Sequence, residues 1–130
     1  MSYQAANSAI EQRLSRRWET TSIKWPNVEF EPTSNSAYIE LRIIWSEARK
    51  MALGVATLHR AYGKILIDIF VSLHTGARTA ADYADELAGI FRNVKFSGIT
   101  CRSPVMMQLG ETNQWWRTSM SVDIYYDKIY

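Results

Sequence analysis

The stretch His59–Phe91, HRAYGKILIDIFVSLHTGARTAADYADELAGIF, decides how this chain folds. Its first part alternates. Ile65, Ile67, Ile69, Val71 and Leu73 fall on one side of an extended strand. Leu66 and Phe70 fall on the other, interrupted by Lys64, Asp68 and Ser72. Period-two spacing with β-branched residues predicts a half-buried strand from Gly63 to Leu73. Gly76 then permits a sharp turn. Ala80, Tyr83, Ala84, Leu87 and Phe91 recur at helical spacing, which predicts an amphipathic helix from about Arg78 to Phe91. The stretch holds no phosphate-cradling glycine loop, no metal-ligand spacing and no nucleophile beside a base, so it reads as scaffold rather than as a reaction centre.

Working outward, a helix is expected from about Gln4 to Trp18, with Ala9, Ile10, Leu14 and Trp18 as its buried stripe. Ile23–Trp25 and Val28–Phe30 read as short extended pieces around the breakers Pro26–Asn27 and Pro32 through Ser36. Ala37–Trp45 is a strand, with Ile39, Leu41, Ile43 and Trp45 facing one way and Tyr38, Glu40 and Arg42 the other. Ser46–Tyr62 is open to two readings. Its Ala, Glu, Arg, Lys, Met and Leu favour a short helix. Gly54, and its place between two strands, favour a hairpin arm, the reading preferred here. Lys95–Gly98 is expected as a connection. Ile99–Leu109 is a strand broken at Pro104, which suits an edge. Gly110–Asn113 is turn chemistry. Trp115–Tyr126 is the last strand, with Trp116, Met120, Val122, Ile124 and Tyr126 on one face. The fold class is therefore α+β. It is a single domain over 1–130, an antiparallel-rich mixed β-sheet with two main helices on one face and a protruding β-hairpin arm.

Bulk composition narrows the functions. At 130 residues, 47% hydrophobic and 22% charged, the chain can bury its own core and contains no bilayer-spanning apolar run. The opening residues lack a continuous apolar segment, so no secretory signal is expected. The lone Cys101 has no internal partner, which points to a reducing compartment and a buried, inert thiol. A formal charge of +2 is too small to argue for nucleic-acid binding. Arg13, Arg16 and Arg17 share one helix face, read either as a solvated face or as a subunit contact.

No catalytic, cofactor or metal site is expected. His59 and His74 sit near opposite ends of one strand, at about 3.3 Å per residue, too far apart for a shared metal. Asp82, Asp85 and Glu86 crowd a solvent-facing helix surface. Trp115 and Trp116 point to opposite faces, Trp116 to the core and Trp115 to the surface or an interface. Met51, Leu53, Val55 and Leu58 beside Arg49, Lys50 and Arg60 make the arm from Glu47 to Tyr62 a candidate for reaching a partner. The candidate interface residues are thus Arg13, Arg16, Arg17, Arg49, Lys50, Met51, Leu53, Leu58, Arg60 and Trp115.

Four local patterns, in order, carry a resemblance. The first is Trp25, Asn27, Phe30 and Pro32 in IKWPNVEFEP. The second is Arg60, Gly63, Ile65, Ile67, Ile69 and Phe70. The third is Gly76, Ala80, Ala84, Asp85 and Leu87, closed by Phe91. The last is Trp116, Val122, Ile124 and Tyr126. Together they resemble the tail-terminator (minor tail protein U-like, tail-completion) proteins of long-tailed bacteriophages. The resemblance implies a structural α+β subunit with no enzyme chemistry and no cofactor. It implies a homo-oligomer, a hexameric ring, that caps the tail tube, ends its polymerisation and offers the head-joining surface. Its implied partners are the major tail tube protein and a head-completion or connector protein, with DNA passing through without sequence-specific binding and no membrane. It would sit at the head-proximal end of the virion tail after assembly in the host cytoplasm. Two other readings stand beside it. One is a head–tail connector or neck subunit. The other is a small ligand-binding module or enzyme with a pocket lined by Trp45, Trp115 and Tyr83.

Overall fold

The computed structural model describes residues 3–32, 36–53, 56–73 and 77–129, without the side chains at 52, 53, 56, 77 and 129. The elements run α1 (Tyr3–Arg17), β1 (Ser22–Lys24), β2 (Tyr38–Leu53), β3 (Ala56–Ser72), α2 (Ala77–Phe91), β4 (Lys95–Phe96), β5 (Ile99–Cys101), β6 (Val105–Thr112) and β7 (Trp115–Ile129). The strands form one mixed sheet in the order β1-β2-β3-β7-β5-β4, with β6 also on β7. β1 pairs parallel with β2, and all other pairings are antiparallel.

β3 is central because its alternation is the cleanest. Ile65, Ile67 and Ile69 are 0% exposed, each worth about 1.5–3 kcal/mol over exposure. They share a face with Ile39 and Leu41 of β2 and with Met120, Val122 and Ile124 of β7. Both helices cover this face. α1 contributes Ala6, Ile10 and Leu14, with Trp18 beyond its end, and α2 contributes Ala80, Ala84, Leu87 and Phe91. The alanines let α2 approach the sheet closely. Asn93, at φ 50°, ends α2 in the left-handed conformation that terminates helices. Cys101 is buried in the same core, and burial raises its thiol to about 11, so it stays protonated at neutral pH.

The expected α+β architecture with both helices on one face is present. Ser46–Tyr62 resolves as a hairpin, since β2 and β3 pair without interruption as far as Leu53 and Ala56. Residues 46–50 are exposed throughout, so the arm runs beyond the helix-covered core. β7 follows it, because Tyr126 is not its end and Ile129 still pairs with Leu58. Gly54 and Val55, His74 and Gly76, and residues 33–35 lie outside the described residues.

Three local expectations are corrected. Val28–Phe30 forms no strand. Instead a turn at Asn27 (φ 55°) is closed by the Val28 N–H donating to the Trp25 carbonyl at 3.3 Å. Lys95–Phe96 is a short strand rather than a bare connection, because Ser97 and Gly98, both with positive φ, close a two-residue hairpin onto β5. Gly110 is not in a turn. It sits at φ 81° in a bulge where the β6–β7 register shifts after Gln108, and the turn itself is residues 113–114. The break at Ser103–Pro104 is where the chain leaves β5 to start β6.

A second bulge, between Trp45 and Glu47, bends β2 where the arm begins. Gly63 faces it because nothing larger fits. A Cβ there would lie 2.6 Å from the Ile44 carbonyl oxygen and 2.8 Å from Trp45 Cε3. Gly63→Ala is therefore expected to cost about 1–3 kcal/mol, the usual toll of overpacking, read as a lowered urea midpoint. An unchanged midpoint would mean that the bulge adapts freely.

Candidate assembly surface

The face of the sheet turned away from the helices carries an ordered pattern of charge and aromatic rings. By register its rows are Tyr38–Phe70–Arg117, then Glu40–Asp68–Ser119, then Arg42–Leu66–Ser121, then Ile44–Lys64–Asp123, continuing into the arm as Glu47–Tyr62–Tyr125 and Arg49–Arg60–Asp127. Seven ion pairs lie here. Asp68, 0% exposed, is clamped by Arg42 Nη2 at 3.1 Å and Arg117 Nη2 at 2.5 Å. Lys24 and Arg42 reach Glu40, at 3.0 and 3.9 Å. Lys64 meets Asp123 at 3.5 Å, and Arg49 meets Glu47 at 3.0 Å. Arg60 grips Asp127 with both Nε and Nη2, at 2.7 and 2.9 Å. That fork, chiefly its hydrogen bonds, holds the Arg60 guanidinium above its ordinary pKa.

Aromatic rings frame the charges at both ends. Near the helix-rich end, Tyr38 stacks on Phe70 at 4.6 Å and meets Trp115 edge-on at 5.2 Å, with Phe30 tilted against it at 5.0 Å. Burial raises the Tyr38 hydroxyl above its usual pKa. On the arm, Arg60 lies over the Tyr125 ring at 4.1 Å and Arg49 over Tyr62 at 5.9 Å. Six basic side chains on this face thus stand paired with five acidic ones. Such exposed pairs add little stability each, but they leave few charges that would be stranded if another protein covered them.

The residues expected at an interface separate into three places. Arg13 is half-buried and serves the fold. Its Nε donates to the Ile90 carbonyl at 2.8 Å, tying α1 to α2, and its guanidinium covers Phe96 at 4.9 Å. Burial, and then the nearby Arg17, lower its pKa. Arg16 and Arg17 are exposed at the end of α1, where basic residues suit the helix dipole. Arg49, Lys50, Met51, Leu58 and Arg60 gather on the arm, with Arg49 and Arg60 on the helix-free face and Lys50 on the opposite side. Leu53 has no described side chain. Trp115 is half-buried at the far end of the sheet against Tyr38.

Trp45, Trp115 and Tyr83 do not form one pocket. Trp45 lies on the helix side, bonded through Nε1 to Asn7 Oδ1 at 2.9 Å and near Tyr126. Trp115 lies on the opposite face at the other end of β3, and Tyr83 packs edge-on against Trp18. Among the described residues no group of three or more His, Cys, Asp or Glu is placed to hold a metal, and no helix is long and apolar enough to cross a membrane. Two features escaped sequence reading. Asp68 interrupted an apolar strand, the one signal available, but its arginine partners follow only from register. The apolar edge of β6, Val105, Met106, Met107 and Leu109, is 43–63% exposed. The Pro104 break had marked the segment as an edge without showing its exposure.

With this geometry in hand, a family model described as phage tail terminator protein matches residues 5–124. A solved structure carrying only a sequence label superposes on 100% of this chain and 98% of its own, with a TM-score of 0.73 at 20% identity, which speaks to the fold alone. No curated protein matches the chain.

Removing the carboxylate at the centre of the helix-free face should strand two guanidinium groups. Asp68→Ala is expected to cost about 2–3 kcal/mol in chemical denaturation. That is below the about 3–5 kcal/mol of a fully buried broken pair, because Arg42 and Arg117 can turn partly to water. A change under about 0.5 kcal/mol would show that the clamp does not hold the strands.

Proposed function

The chain belongs to the phage tail terminator family, and from that membership we propose that it works as a hexameric ring at the head-proximal end of the virion tail. In this reading the ring caps the tail tube, stops its polymerisation and offers the surface to which the filled head joins, with assembly in the host cytoplasm. The whole 130-residue stretch acts as one terminator domain of the minor tail protein U-like kind. Its partners are further copies of itself, the major tail tube protein and a head-completion or connector protein.

The observation that carries the proposal is the family match over nearly the whole chain, on a sheet with one face free of helices. A capping subunit needs broad surface rather than a reacting cleft, and the helix-free face and arm supply it. A ring must also let DNA through. On the helix-free face each of the six basic side chains has a carboxylate within 4 Å. Phosphate-tracking proteins instead present basic side chains free to neutralise phosphates. A pre-neutralised face therefore suits passage without sequence-specific binding.

The arm is the proposed tube contact, since Arg49 and Lys50 are exposed beyond the core. When the purified chain is added to polymerising tube protein, tubes are expected to shorten as its molar ratio rises. Arg49→Glu combined with Lys50→Glu should lose that arrest by tenfold or more in the concentration required, with circular dichroism and melting midpoint unchanged. Full arrest by the double variant would remove the arm from the contact, and tube growth unaffected by the unaltered chain would count against the terminator reading.

A further inference from the structure

The sheet ends in two unlike open edges. β6 pairs only with β7 among the described residues, so the backbone groups along its other side have no strand partner over an element of 8 residues. Proteins usually protect such an edge with Lys, an internal Pro or a short strand. β6 has none of these. Val105 and Met107, 63% and 61% exposed, stand on the helix-free face, and Met106, 43% exposed, on the other. Its one ionised side chain is Glu111. At the opposite rim, β1 covers β2 only at Tyr38–Glu40. From Leu41 to Leu53 the outer side of β2 has no strand partner among the described residues. That edge presents Ile44, 48% exposed, and then the basic Arg49 and Lys50.

The two edges complement one another. One is apolar with an acidic end, and the other is apolar with a basic end. The free length of β2 exceeds the roughly 26 Å that β6 spans at about 3.3 Å per residue. We propose that β6 of one copy pairs with the free edge of β2 of the next copy, so that the sheet continues from subunit to subunit. This rests on the ring reading and names the contact within it. Such a contact is heterologous. It satisfies both edges of every copy, and it closes a ring where the rotation permits. Pairing β6 with β6 would instead stop at a two-fold dimer and leave both β2 edges open. Head-to-tail pairing also keeps all helices on one side of the continuous sheet.

The test uses the full chain with Met107→Cys and Ile44→Cys, exposed positions on the same sheet face, made singly and together. The buried Cys101 stays as it is, and the unaltered chain treated alike is the control. A short bismaleimide is added to the chain in solution and at tube ends, and folding is checked by circular dichroism. The expected result is a covalent dimer only when the two single variants are mixed, and a ladder of multimers from the double variant. Dimers from Met107→Cys alone, or its cross-linking to the tube subunit, would overturn the proposal. Intact rings with no covalent product would overturn the edge pairing and leave the ring reading standing. No rings from the unaltered chain, at tube ends or free, would overturn the ring reading and the pairing with it.

Discussion

Alternation along β3 is the constraint from which both sides of this molecule follow. One set of its side chains, Ile65, Ile67, Ile69 and Val71, is removed from water by two helices. The other set includes Asp68, which is just as buried yet ionisable, and has no helix above it. A carboxylate at that depth is tolerable only with charged partners. Arg42 from β2 and Arg117 from β7 reach it from the two neighbouring strands. A slip of one residue would move the isoleucines to the open face and break the clamp, so apolar burial and ion pairing both fix the same register.

This two-sidedness links fold to surface chemistry. The helix side is closed and apolar within. The open side has its charges neutralised in place and its aromatic rings gathered at the two ends. α1, α2 and the arm are then free to serve contacts that the core does not consume. Arg13 marks the boundary, because it looks like part of a basic surface in sequence but is spent on joining α1 to α2. Arg16 and Arg17 beside it remain exposed.

Much of the fold was legible because local pattern and tertiary role agree. β3, α2 and β7 read correctly from periods of two and 3.6 residues, since each has one face in the core. The arm was ambiguous for the opposite reason. Residues 46–50 bury neither face, so helix propensity had no periodic signal to oppose it, and only pairing with 56–62 decides. Gly110 was misplaced because a glycine with positive φ serves a bulge as well as a turn. The ion pairs of the open face were illegible in a stricter sense. Asp68 meets Arg42 and Arg117 across sequence separations of 26 and 49 residues, and those pairings exist only once the register is set.

The central claim is that this sheet forms a ring that ends a tail tube. Imaging tubes assembled in the presence of the chain, with the ends averaged separately from the walls, tests it most directly. The account predicts a single six-fold ring of this chain on one end of each arrested tube, and none along the walls. Density spread along the tube wall, or lone copies at the ends without rotational symmetry, would contradict it.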